Sequence, residues 1–166
     1  AAGFDRNGEI FKELGAMGFG FVEIGTVTPE PQQGNPKPRV FRLDDDRAIM
    51  NRIGLSCKGL ESVVASLREN NGEVVIGCNI GKNSATAPED APHDYLRVFR
   101  NLYQYVDYFS VNVSYNTSFK QYVPRTRESI ISILEPLFDF RRGQNQYRPI
   151  LLKISPDLTD EDIDMM

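Results

Sequence analysis

Four short apolar runs, each with one polar residue at its end and a helix-patterned stretch after it, restrict this chain to an alternating β/α architecture. The runs are Phe21-Val22-Glu23-Ile24-Gly25, Val74-Val75-Ile76-Gly77, Tyr108-Phe109-Ser110-Val111 and Ile150-Leu151-Leu152. The residues at or just past their ends are Thr26, Asn79, Asn112 and Lys153. Runs this short, continuous and rich in branched residues fit strands buried on both faces. Parallel strands feeding helices put all their C-terminal ends on one face, so the four polar residues should converge on one site. Three neutral hydrogen-bonding side chains and one lysine suit a flat polar ring system better than a metal or a free phosphate.

The helices follow from periodicity. Leu60, Val63, Val64 and Leu67 recur at i, i+3, i+4 and i+7, as do Ile130, Ile133, Leu134 and Leu137. Tyr95, Val98, Phe99, Leu102, Tyr103 and Val106 form a third apolar face. All three faces should pack on the core. Pro136 should kink or end its helix near Glu135, because proline lacks the amide donor and crowds the preceding turn. Residues 29–47 contain Pro29, Pro31, Gly34, Pro36 and Pro38, too many breakers for a helix. They read as an extended or hairpin insertion over the C-terminal face of the strands, where insertions commonly cover active sites. Arg39, Arg42, Arg47 and Arg52 interleave with Asp44, Asp45 and Asp46, the pattern of a solvated, salt-bridged surface.

Several functions are excluded early. A net charge of -4 without a basic tail argues against nucleic acid as a partner. Two cysteines, Cys57 and Cys78, and one histidine, His93, leave too few ligands for zinc and no Cys-His or Ser-His nucleophile pair. Gly18-Phe19-Gly20 precedes its strand and lacks a third glycine, so it is a turn and not a dinucleotide fingerprint. Asn79-Ile80-Gly81-Lys82-Asn83 taken alone is a turn in which Gly81 supplies backbone freedom; its strand-end position favours ligand contact. The chain has 166 residues, whereas a complete eightfold barrel takes about 250. It opens at Ala1-Ala2-Gly3-Phe4-Asp5, which reads as the tail of a strand. It closes within two turns of a helix start at Thr159-Asp160-Glu161-Asp162. The expected fold is therefore α/β: a (β/α)8 TIM-type barrel present as an incomplete piece, about the first five strand units, filling residues 1–166.

At this point a family resemblance emerges. Ala1-Ala2-Gly3-Phe4-Asp5, the stretch Gly18 to Pro29, Gly34-Asn35-Pro36-Lys37-Pro38-Arg39 and Asn51-Arg52-Ile53-Gly54 resemble class 2 dihydroorotate dehydrogenase. So do Asn79-Ile80-Gly81-Lys82-Asn83, Val111-Asn112-Val113-Ser114 and Lys153-Ile154, in the family's order from Ala1 to Asp157. The resemblance implies an FMN-bearing barrel that oxidises (S)-dihydroorotate to orotate in pyrimidine (UMP) biosynthesis and passes electrons to a quinone. Carried over by motif, Ala2, Gly3, Thr26, Asn79, Asn112 and Lys153 would contact FMN. Arg6, Asn51, Arg52, Ile53, Gly54, Leu55, Asn112 and Asn116 would hold the substrate. Lys153 would stabilise the anionic reduced flavin by its fixed charge. The family also implies peripheral attachment to the cytoplasmic face of the inner (plasma) membrane through a segment not in this chain. The piece alone should be inactive.

Three positions depart from the family. Arg6 stands where the family has lysine, cationic but bulkier and not equivalent. Leu55 stands where phenylalanine is usual. The family writes Asn-Val-Ser-Ser-Pro-Asn-Thr with the second serine as base, whereas this chain reads Asn112-Val113-Ser114-Tyr115-Asn116-Thr117. Ser114 is the nearest candidate for the base. A residue lost between Ser114 and Asn116 would restore the motif, so a chain break or a disordered lid is expected over Ser114 to Tyr122. Two alternatives stay open: another FMN barrel oxidoreductase with a soluble acceptor and a cysteine base, or a barrel that kept the fold and lost its base.

Overall fold

The computed structural model describes residues 1–68, 70, 72–114, 126–156 and 158–166, apart from the side chain of Met165. A short helix α1 (Phe11–Ala16) leads into strand β1 (Phe21–Val27). A hairpin of β2 (Val40–Leu43) and β3 (Ala48–Asn51) follows, then α2 (Leu60–Leu67), β4 (Val75–Ile80), α3 (Ala91–Leu102), β5 (Tyr108–Asn112), α4 (Arg127–Arg142), β6 (Ile150–Lys153) and α5 (Asp160–Met165). Strands β1, β4, β5 and β6 form one parallel sheet in that order, an incomplete arc of a TIM-type barrel.

The two faces of the sheet differ. Val22, Ile24, Ile76, Cys78, Ile80, Phe109 and Val111 point toward the helices and are buried. Against them pack Leu60, Val63 and Leu67 of α2, Tyr95, Val98, Phe99 and Leu102 of α3, and Ile130, Ile133 and Leu137 of α4. Phe99 lies 4.3 Å from Phe109 and 5.9 Å from Phe140 between ring centroids, and joins α3, β5 and α4 into one aromatic cluster. On the opposite face, alternation places Glu23, Gly77, Asn79, Tyr108, Ser110 and Asn112. That face also carries Phe21, Val75 and Leu151, all exposed. The expectation of burial on both faces holds for the C-terminal halves of β4 and β5, where Asn79, Ser110 and Asn112 are buried as well. It fails at Phe21, Val75 and Leu151, which the open arc leaves uncovered.

Other expectations need correction. Residues 1–10 form turns and bends, not the tail of a strand, because only Gly3 N to Gly25 O (2.8 Å) and Gly25 N to Asp5 O (3.0 Å) link them to β1. Helix α4 runs unbroken through Pro136. Burying Ile130, Ile133 and Leu137 on either side contributes about 1.5–3 kcal/mol each, more than the roughly 3 kcal/mol a mid-helix proline costs. The carbonyl left without its donor belongs to Ser132, an exposed residue that water can reach. Thr126 opens α4 with a capping box, accepting from Ser129 N at 3.3 Å while Ser129 Oγ accepts from Thr126 N at 3.2 Å. In the insertion, Arg39 donates to the carbonyls of Gln33 and Asn35, and Arg52 to that of Pro38. These arginines bind the backbone of the proline-rich arm, where lone carbonyls are abundant, instead of the acids at 44–46.

Candidate functional site

The C-terminal ends of the four parallel strands open on a cleft of about 360 Å³. Thr26, Asn112 and Lys153 reach it from β1, β5 and β6, and Ala2, Gly3 and Arg6 close one side. Asn51, Ile53, Gly54 and Leu55, from the end of β3 and the segment after it, form the opposite lip. Three of the four strand-end residues expected to converge thus do so; Asn79, from β4, is not among the walls.

A local irregularity makes it possible. Pairing of β1 with β4 is regular from Phe21↔Val75 to Ile24↔Cys78, then slips so that Val27, not Thr26, stands opposite Ile80. The extra residue turns Thr26 onto the polar face, where a regular strand would have turned it toward the helices. Gly25 occupies the slip with φ +103°, and a Cβ there would overlap the carbonyl oxygen of Asn79. Glycine is required on both counts. Gly81, by contrast, has no left-handed backbone. It is small because a Cβ would stand 2.8 Å from Thr26 Cγ2, so close approach and not backbone freedom explains it.

Behind the cleft lies a buried polar network. Thr26 Oγ1 donates to Asn79 Oδ1 at 2.6 Å, and Asn112 Nδ2 donates to Thr26 Oγ1 at 3.3 Å. Asn79 Nδ2 donates to Glu23 Oε1 at 3.1 Å and Ser110 Oγ at 3.2 Å. Asn79 is completely buried and does not line the cleft; its amide orders the residues that do. Tyr108 donates to Glu23 Oε2 at 3.2 Å, and burial, followed by the Glu23 charge, pushes its hydroxyl well above the usual tyrosine range. Tyr95, from α3, donates to the Asn112 carbonyl at 2.7 Å and fixes that strand end from the outside.

The other nominated residues sit nearby or elsewhere. Ser114 donates from Oγ to Asn112 Oδ1 at 2.9 Å, beside the cleft and not among its walls. Arg52 points along the hairpin, with its guanidinium 6.0 Å from the Phe41 ring. Asn116 lies outside the described residues. Gly25 and Ser56 line the cleft although the sequence had not singled them out. Ser56 directly follows the motif Asn51 to Leu55, and adjacency was the available signal. The chain break or disordered lid expected over Ser114 to Tyr122 falls on residues 115–122, which lie outside the described residues.

The donor set fits a flavin better than a metal. Neutral hydroxyl and amide groups, glycine backbone and one lysine can bond a ring edge without a charge mismatch. Among the described residues no group of three or more His, Cys, Asp or Glu side chains is placed to hold a metal ion. Cys78, on the helix-facing side of β4, is fully buried, and burial holds its thiol well above the ordinary range, which makes it inert as a base or nucleophile.

A family model described as Dihydroorotate dehydrogenase matches residues 1–166. Among curated relatives, the dihydroorotate dehydrogenase (quinone) of Christiangramia forsetii is 47% identical over 163 residues, which cover 98% of this chain and 48% of that protein. Its counterpart in Coxiella burnetii is 44% identical over 167 residues, covering 98% of this chain and 48% of its own length. A crystal structure of DHODH from Eimeria tenella in complex with ferulenol superposes with a TM-score of 0.86 at 35% identity, covering 98% of this chain and 50% of that one. The ligand-free form gives a TM-score of 0.84 over 97% of this chain and 51% of that one. This chain spans about half the length of the relatives it matches.

Proposed function

We propose, from the premise that this chain belongs to the dihydroorotate dehydrogenase family, that the full protein oxidises (S)-dihydroorotate to orotate in pyrimidine biosynthesis, with FMN as cofactor and a quinone as acceptor. The observation that carries the reading is the single cleft joining Thr26, Asn112 and Lys153 to Ala2, Gly3, Arg6 and the lip from Asn51 to Leu55. When bound, the flavin would take the hydride and hand electrons on to the quinone. Thr26, Asn112 and Lys153 would hold the ring, with Ala2 and Gly3 close enough for backbone contact. Arg6 would meet the substrate carboxylate, and Asn51, Ile53, Gly54 and Leu55 would orient the substrate ring, together with Asn116. Ser114 is the candidate base, its hydroxyl directed by Asn112. Quinone reduction and peripheral attachment to the cytoplasmic face of the inner membrane would depend on a segment outside this chain. Among the described residues no helix is long and apolar enough to cross a membrane.

A second reading rests on the shortened Asn112-Val113-Ser114-Tyr115 sequence: a flavin-holding barrel without turnover. Two measurements on the full-length protein separate the readings. A visible band near ~450 nm supports bound flavin, and its bleaching by dihydroorotate under anaerobic conditions supports the dehydrogenase. Flavin that dihydroorotate leaves oxidised supports the second reading, and a colourless, folded protein overturns both.

A further inference from the structure

The lip over the cleft is held from behind by side chains that do not line the cleft. Leu55, a lip residue, accepts at its carbonyl from Gln32 Nε2 at 2.5 Å. The Gln32 amide cannot flip, because its Oε1 accepts from Asn83 Nδ2 at 3.0 Å and from Ser84 N at 2.9 Å. Asn83 is 7% exposed and has no freedom left either. Its Oδ1 accepts from Glu30 N at 2.8 Å, its Nδ2 also donates to Glu30 O at 2.9 Å, and its backbone N donates to Asp94 Oδ2 at 2.8 Å. Thr86 Oγ1 donates to the same Asp94 oxygen at 2.6 Å. A continuous line of bonds thus runs from the first turn of α3, through the loop after β4, to the lip.

We propose that Gln32, oriented by Asn83, is a positioning residue that sets the height of residues 53–56 over the cleft and so tunes affinity for the substrate. The proposal rests on the dihydroorotate reading above and deepens it. Without the Gln32 amide, the Leu55 carbonyl, Asn83 Nδ2 and Ser84 N each lose a partner, and the lip keeps its other links, such as Asn35 N to Ile53 O at 2.9 Å and Asn35 Nδ2 to Arg52 O at 2.8 Å. The flavin-side residues Thr26 and Lys153 stand on strands that this relay does not touch.

The test uses the full-length holoenzyme and two variants, Gln32→Leu and Gln32→Glu. The second keeps the acceptor for Asn83 and Ser84 and replaces the donor to Leu55 by a carboxylate oxygen that cannot donate, so it carries the test if the first fails to fold. Lip exchange, the hydrogen exchange of the Asn35 and Cys57 amides that donate to Ile53 O and Gln32 O, is read without substrate beside KM for dihydroorotate, kcat and flavin content. The expected result is lip exchange about tenfold faster and KM raised about tenfold, with kcat and flavin content within about twofold. Unchanged lip exchange in Gln32→Glu overturns the relay. Faster exchange with unchanged KM overturns its link to substrate, and equal losses in kcat and flavin content show a general folding role instead. A wild-type holoenzyme that does not turn over dihydroorotate defeats the functional reading and the substrate link with it, while lip exchange still decides the relay.

Discussion

The Thr26 hydroxyl donates to Asn79 Oδ1 at 2.6 Å across two strands whose regular pairing would have turned Thr26 away. One extra residue in β1 therefore converts a would-be core threonine into a wall of the cleft. The cost is a backbone that only glycine tolerates at position 25. Asn79 is consumed by this arrangement, with Oδ1 bonded to Thr26 and Nδ2 to Glu23 and Ser110. Its influence on any bound ring passes mainly through Thr26.

Replacing Asn79 by leucine should therefore damage stability before it damages chemistry. The variant leaves Thr26, Glu23 and Ser110 short of a partner in a buried setting, at a cost of about 2–4 kcal/mol. Urea unfolding of the full-length protein should show a lower midpoint, and flavin content should fall because Thr26 is no longer held. A midpoint unchanged within error, with flavin lost, would mean that Asn79 acts on the cofactor directly.

The Tyr108–Glu23 pair makes an alkaline prediction. Burial first, and then the Glu23 carboxylate, raise the Tyr108 hydroxyl above its ordinary value. A folded state that holds the proton more tightly than the unfolded state is stabilised below the unfolded value of ~10, and loses that stability as pH climbs beyond it. The stability of the wild type relative to Tyr108→Phe should therefore be flat below pH ~10 and decline above it. Chemical denaturation of both proteins between pH ~8 and ~11 measures the difference. A difference that stays flat through the alkaline range would sink the assignment.

Periodicity made the helices and the parallel order of the sheet legible, because Leu60 to Leu67, Tyr95 to Leu102 and Ile130 to Leu137 each carry one apolar stripe. The convergence of Thr26, Asn112 and Lys153 followed from strand ends alone. What stayed hidden was non-local. The slip that re-aims Thr26 goes with its bond to Asn79, 53 positions along the sequence, and no local pattern reports it. The partner of Gln32 likewise lies 51 residues away at Asn83. Pro136 misled for a related reason. Local chemistry says the helix should end, and burial of its flanking apolar residues overrides it.

Pro136→Ala should accordingly stabilise the protein. Alanine restores the donor to the Ser132 carbonyl and removes the ring's crowding of that turn, in a helix that is already straight enough to be continuous. The gain should be about 1–3 kcal/mol, at or below the full interior cost of proline. Thermal unfolding of the full-length protein reads it, with flavin content unchanged because α4 packs on the face of the sheet away from the cleft. A loss of stability would mean that the ring's packing outweighs the missing bond.

Lys153→Ala separates the cofactor side of the cleft from the substrate side. The side chain is exposed in the cleft, and strand pairing at this position uses its backbone, with Val113 N donating to Lys153 O at 3.1 Å. Truncation therefore leaves β6 in register, and stability should change by no more than about 0.5 kcal/mol. What is lost is the cation beside the proposed flavin, which favours negative charge developing on the ring. Flavin affinity should fall about tenfold and anaerobic reduction by dihydroorotate should slow, with KM close to wild type; Lys153→Arg should recover part of both. Fluorescence titration with FMN and stopped-flow reduction give the two numbers. A variant that keeps full flavin affinity and instead raises KM would move Lys153 to the substrate side of the cleft.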